Sequence, residues 1–158
     1  MSLGVLSIHN ASPGRDAELA LLVKEHHDAK VAGHARFVFI RGPRGVGKTH
    51  LVTQLARALA SQGVNVFESG PVREARATWG LFSPLGQELL TAARRDGTSE
   101  LTVARLTRAL EPLRGAAVSA SADEQRLQLF DGVAELVTLA SRAAPLFLFN
   151  DVDAADRS

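Results

Sequence analysis

The sequence predicts an α/β fold: a short parallel sheet flanked by helices, with three recognisable strands. Three observations lead there. Short apolar runs at residues 36–41 and 146–149 have the length and composition of buried parallel strands. Between them, leucines recur at helical spacing in several segments. A glycine-rich octapeptide joins the first run to the first of the strongly periodic helices after it.

In chain order, residues 1–13 are mixed in character and read as loose, ending at Ser12-Pro13-Gly14. Residues 16–32 read as a helix with Leu19, Leu22 and Val23 on one face. The strand Arg36-Phe37-Val38-Phe39-Ile40-Arg41 follows. Leu51, Leu55 and Leu59 then mark the buried stripe of the next helix, which Gly63 terminates. Val64-Asn65-Val66-Phe67-Glu68 alternates as a strand does. A loop with Arg73 and Arg76 leads to Trp79 and Phe82, read as core anchors, and Pro84 opens a helix over 84–95 with Leu85, Leu89 and Leu90 inward. Asp96-Gly97-Thr98 breaks it, and a helix from Ser99 to about residue 113 carries Leu101, Leu106 and Leu110. Ser121-Ala122-Asp123-Glu124 has the capping-box pattern. The helix it starts has Leu127, Phe130, Val133, Ala134 and Val137 as its apolar stripe, and Pro145 stops it before the third strand. There is no internal repeat and no clear second domain, so the 158 residues read as a single domain.

The octapeptide carries the chemistry. Gly42-Pro43-Arg44-Gly45-Val46-Gly47-Lys48-Thr49 is G-x-x-x-x-G-K-[ST], the phosphate-binding loop of P-loop NTPases. Glycines let the backbone curl around phosphate oxygens where a Cβ would intrude. The N–H groups of the loop then point at the phosphates, helped by the positive end of the following helix. Lys48 is placed to reach the β- and γ-phosphates and the Thr49 hydroxyl to bind Mg²⁺. Fifteen arginines outnumber three lysines in this chain, yet lysine occupies the one position where phosphate chemistry asks for it. His50 adjoins the loop and is grouped with it by position, although packing or surface exposure is its plainer role.

A second motif lies at the third strand. Four apolar residues, Leu146-Phe147-Leu148-Phe149, run into Asn150-Asp151-Val152-Asp153-Ala154-Ala155-Asp156, as in a Walker B strand. By register Asn150 takes the position of the metal-binding aspartate and Asp151 the catalytic one that activates water. Asparagine brings no negative charge, so the sequence predicts weakened Mg²⁺ coordination and slow hydrolysis with ATP binding kept. Asp151 is the alternative metal ligand. The aspartates 151, 153 and 156 lack the glycine turn and terminal glutamate of an EF-hand. His26-His27 has no third ligand in view and reads as a surface pair.

Composition narrows the function classes. Hydrophobic residues at 46% are enough for a core, and a net charge of +1 argues against a strongly electrostatic DNA or membrane surface. The absence of cysteine excludes disulfides and thiolate metal sites. No apolar run is long enough to span a bilayer and no signal-peptide pattern opens the chain, so a cytoplasmic location is expected.

With these residues in place, the chain resembles the N-terminal part of a signal-transduction ATPase, the origin-recognition-like AAA domain of large LuxR-type transcriptional regulators. Gly14-Arg15-Asp16-Ala17-Glu18-Leu19 is similar to that family's Gly-Arg-x-x-Glu-Leu box. Residues 126–130 through 156 resemble its Leu-Phe-rich helix and Asp-Asp-x-His-Trp-Ala-Asp ending, with Asn150 for the first Asp and Asp153-Ala154 for the His-Trp pair. The resemblance implies that Gly14 and Arg15 lie near the adenine, that ATP and Mg²⁺ are the cofactors, and that the module is a nucleotide-dependent regulatory switch. It also implies a sensor strand and helical lid beyond Ser158. The sheet is therefore expected to be truncated, with exposed edges that favour self-association, and the chain to be part of a larger regulator whose DNA-binding helix-turn-helix lies elsewhere. Three other readings stand beside this one: a competent AAA ATPase using Asp151, a small-molecule P-loop kinase drawing on Glu68, Arg73 and Arg76, and an interaction module with a vestigial loop.

Overall fold

The computed structural model describes residues 2–7, 14–70, 82–111 and 122–150. The chain divides into two compact units, Met1–Val66 and Phe67–Ser158. The described residues hold four strands, in two pairs, and five helices.

In the first unit, strand β1 (Ser2–Ser7) pairs in parallel with β2 (Arg36–Arg41), Ser2 standing opposite Arg36 and Ser7 opposite Arg41. For residues 2–7 this corrects the expectation that the segment is loose; residues 8–13 lie outside the described residues. Ser2, Gly4 and Ser7 are weak strand formers, so the segment carries little local signal. Leu3, Val5 and Leu6 give it an apolar character that Gly4 interrupts, and the main-chain ladder with β2 completes the strand. Helix α1 (Asp16–Ala32) lies between the two strands in sequence and packs on both β2 and α2 (Lys48–Ala60). The α2 stripe is as the spacing predicts, with Leu51, Leu55 and Leu59 at 4% exposure or less. In α1 only Leu22 is fully buried, with Leu19 and Val23 half-buried beside it. Arg36 is paired with Glu25 at 2.6 Å, linking the start of β2 to α1. β2 itself departs from the fully buried strand expected. Its burial alternates, and Phe37 and Phe39 are 43% and 48% exposed.

The second unit starts with β3 (Val66–Ser69), whose first residue is the last of the first unit. It continues with α3 (Phe82–Arg95), α4 (Glu100–Ala109), α5 (Ala122–Ser141) and β4 (Leu146–Phe149). β3 and β4 form the second strand pair, and the Asn150 N–H donates to Ser69 O at 2.8 Å just beyond it. Phe67 and Phe147 stack across the pair with centroids 5.3 Å apart. The core joins Phe67 to Leu85, Leu89 and Leu90 of α3, Val103 and Leu106 of α4, Leu110 just beyond it, and Leu129 and Leu136 of α5. Pro84 lies in the first turn of α3, as expected, although the helix begins two residues earlier.

Two helix faces differ from the sequence reading. Leu101 is 84% exposed and Val103 takes the inward place. Residues 103, 106 and 110 share one face at helical spacing, whereas 101 lies about 200° around the helix from 103. In α5, Leu127 and Phe130 are 63% and 50% exposed, while Leu129, Gly132 and Leu136 are buried. The apolar residues of α5 wrap most of its circumference, so periodicity leaves the inward face undecided. The close approach of α4 at Gly132 decides it: a Cβ there would stand 2.7 Å from Ala109 Cβ. Ser99 caps α4, its Oγ accepting from the Thr102 N–H at 3.3 Å. Of the sequence expectations, the capping-box Ser121, Trp79, and Asp153 to Asp156 lie outside the described residues.

Candidate functional site

The phosphate-loop motif occupies the turn between β2 and α2. Gly45 and Gly47 have φ of +79° and +91°, the left-handed region that residues with a Cβ rarely adopt. Gly45 has open space around its missing Cβ, so glycine is required there by conformation alone. Gly47 is the N-cap of α2, and its carbonyl accepts the Leu51 N–H at 3.0 Å. The N–H groups of the first turn of α2 follow Gly47, at the positive end of the helix dipole.

Lys48 arches back over the start of the loop. Its Nζ donates to Gly42 O at 2.8 Å and Pro43 O at 2.9 Å. The ammonium group is thus held over the loop mouth by two carbonyls, partners that phosphate oxygens can replace. Thr49 is exposed, and its carbonyl accepts from Thr53 Oγ1 at 2.9 Å. Pro43, Arg44 and His50 are exposed as well. Val46 points the other way and is 5% exposed, which anchors the middle of the loop.

Arg15, thirty-one residues before Val46, reaches this loop. It is 7% exposed, and its Nη2 donates to Val46 O at 2.5 Å while Nη1 pairs with Glu18 at 3.0 Å. Gly14 beside it has φ +85° and is exposed. The structure therefore brings the Gly14-Arg15 box and the phosphate loop together within the first unit. Glu18, whose box position is its only signal in the sequence, enters as the partner that holds Arg15.

Asn150 belongs to the second unit. Its Nδ2 donates to Glu68 Oε1 at 2.6 Å, across the ends of β3 and β4. That bond orients the amide. The pair offers an amide oxygen and a carboxylate, donors that suit a hard cation such as Mg²⁺. Sequence reasoning treated Glu68 only as a substrate group of a kinase. Its position at the end of a strand was visible, but its pairing with a residue 82 positions away was not. Asp151, Arg73 and Arg76 lie outside the described residues. Among the described residues no cluster of three or more His, Asp or Glu is placed to hold a metal. No described helix is long and apolar enough to cross a membrane.

The loop has the parts that a site for a nucleoside triphosphate uses: left-handed glycines, a helix N-terminus and a cation at the mouth. Among curated proteins and among solved structures nothing matches the chain. A family model described as AAA ATPase domain matches residues 11–158, phosphate loop included. The chain is a P-loop protein that belongs to the AAA ATPase domain family.

Proposed function

We propose that this chain is the ATP-binding module of a larger, LuxR-type transcriptional or signalling regulator, and that nucleotide state switches its conformation or assembly. The observation that carries the ATP-binding reading is the loop itself, with Gly45 and Gly47 left-handed and Lys48 drawn over its mouth. Family membership supports a nucleotide-binding P-loop function. In this reading the N–H groups of residues 44–49 receive the phosphates, and Lys48 exchanges its Gly42 and Pro43 carbonyls for β- and γ-phosphate oxygens. Thr49 supplies its hydroxyl to Mg²⁺, while Gly14 lies toward the adenine end, Arg15 reaches the loop at Val46 O, and His50 borders the loop. Mg²⁺ would supply charge neutralisation on the phosphates when bound. By sequence register Asn150 and Asp151 stand at the metal and catalytic positions. A neutral Asn150 makes hydrolysis slow, so the module acts as a switch that holds ATP rather than as a fast motor. The cell compartment consistent with this role is the cytoplasm.

Two experiments divide the readings. Hydrogen exchange with no nucleotide, ADP and ATP should give three distinguishable protection patterns around β2 and α2; identical patterns would remove the switch. Steady-state phosphate release, with Asp151→Ala as control, should be slow and lost in the variant. Fast turnover that depends on Asp151 would make the chain a competent ATPase instead.

A further inference from the structure

We infer that Arg15 is a positioning residue for the phosphate loop: its guanidinium fixes the Val46–Gly47 peptide so that the Gly47 N–H faces the phosphates. This rests on the ATP-binding reading and differs from a role at the adenine. The argument starts from the peptide unit. In a trans peptide the carbonyl of one residue and the N–H of the next point in opposite directions. Whatever holds the Val46 carbonyl therefore aims the Gly47 N–H. Here that carbonyl accepts from Arg15 Nη2 at 2.5 Å, in a buried setting.

The loop needs such a restraint. Val46 stands between two glycines with φ of +79° and +91°. Glycine reaches either sign of φ at little cost, so the peptides flanking Val46 are free to flip. A flip of the Val46–Gly47 peptide would turn a carbonyl, with its negative end, toward incoming phosphate. The charged bond from Arg15 opposes that flip, and a charge-assisted bond in a buried place is among the stronger ones available.

Arginine suits the role in a way that lysine does not. Its planar fork presents several N–H groups at once. Nη1 is taken by Glu18 at 3.0 Å, Nη2 reaches the loop, and Nε lies 3.6 Å from where a Gly47 Cβ would be. Glu18 sits one turn into α1 and Arg15 is that helix's N-cap, so the fork is anchored to a regular element before it reaches the loop. The arrangement ties the start of α1 to the loop that precedes α2.

The test uses Arg15→Lys and Arg15→Met in the full chain, with two ligands and one ligand-free readout. Affinity for ATP and for inorganic tripolyphosphate should both fall by about ten-fold to a hundred-fold, since one charge-assisted bond is lost. The Gly47 amide resonance of the ligand-free variants should shift and broaden, while those of Leu55 and Leu59 stay in place. Glu18→Gln should give a smaller loss of the same kind. Loss of ATP affinity with tripolyphosphate binding intact would assign Arg15 to the base and overturn the inference. An unmoved Gly47 amide in Arg15→Lys would overturn it as well. If the unaltered protein binds neither ligand, the ATP-binding reading fails, and the Gly47 resonance alone then decides whether Arg15 holds the peptide.

Discussion

Replacing Gly132 with alanine should loosen the seam between α4 and α5. A Cβ at 132 would stand 2.7 Å from Ala109 Cβ and 3.9 Å from its Cα. Carbon atoms in contact settle at about 3.5–4.0 Å, so the new methyl is short of room by about 1 Å. Ala109 has no flexible end to swing aside, and the relief must come from parting the helices. That strains the leucines packed alongside, Leu106 and Leu110 against Leu129 and Leu136. Overpacking of this kind costs about 1–3 kcal/mol. Alanine returns about 0.8–1 kcal/mol through better helix propensity. The expected net loss is about 1 kcal/mol, read as a lower urea midpoint with the slope unchanged. Adding Ala109→Gly removes the colliding methyl, so the two substitutions together should cost less than the sum of each alone. A rise in midpoint for Gly132→Ala would refute the reasoning, as would a pair whose effects simply add. The seam matters to the site because α5 leads through Pro145 into β4 and so to Asn150.

Three further outcomes are expected. Asn150→Asp removes the amide that donates to Glu68 at 2.6 Å and sets two carboxylates together, so stability should fall by up to about 1 kcal/mol without metal and recover when Mg²⁺ is added; unfolding curves with and without Mg²⁺ check this. Ser99→Ala should lower stability by about 0.5–2 kcal/mol through loss of the α4 cap, and Ser99→Asp should be nearly neutral in the same denaturation assay. The hydrogen bond from Lys24 holds Asp28 below the ordinary carboxylate range, against the opposing effect of desolvation, and the charges of Lys24, Arg36 and His27 add to the lowering. A carboxylate lowered on folding stabilises the protein above its unfolded value and loses that contribution as pH falls through the folded one. The small stability difference between the unaltered chain and Asp28→Asn should therefore be present near neutrality and vanish on acidification, as thermal unfolding across the acid range would record.

The site was legible where chemistry fixes both residue type and spacing. The octapeptide at 42–49 calls for glycines where φ is positive and a lysine for charge; Gly45 and Gly47 have positive φ, and Lys48 Nζ lies on the carbonyls at the start of the loop. The α2 stripe was legible because Leu51, Leu55 and Leu59 have no apolar competitor on the opposite face. Elsewhere the deciding interactions lie far apart in sequence. β1 pairs with the edge of β2, and the short alternation of Leu3 and Val5 around Gly4 hints at a strand without reporting its partner. Leu127 and Phe130 read as core by type, yet the neighbour that selects the buried face of α5 acts through Gly132, a residue with no side chain to notice, whereas Leu101 lies off the face that 103, 106 and 110 share. Arg15 could be singled out by its box, but its hydrogen bond to Val46 O could not, since a main-chain acceptor leaves no mark in the sequence. The Asn150 substitution was plain to read, whereas its bond to Glu68 depends on which strand lies beside β4.

The most direct test of ATP binding is calorimetric titration with ATP, with and without Mg²⁺, on this chain and on Lys48→Ala. The expected result is binding by the unaltered chain that weakens by about ten-fold to a hundred-fold or disappears when Lys48 is lost, with only a modest Mg²⁺ dependence because Asn150 adds no charge. Absence of heat with either protein, or equal affinity in both, would contradict a live phosphate loop.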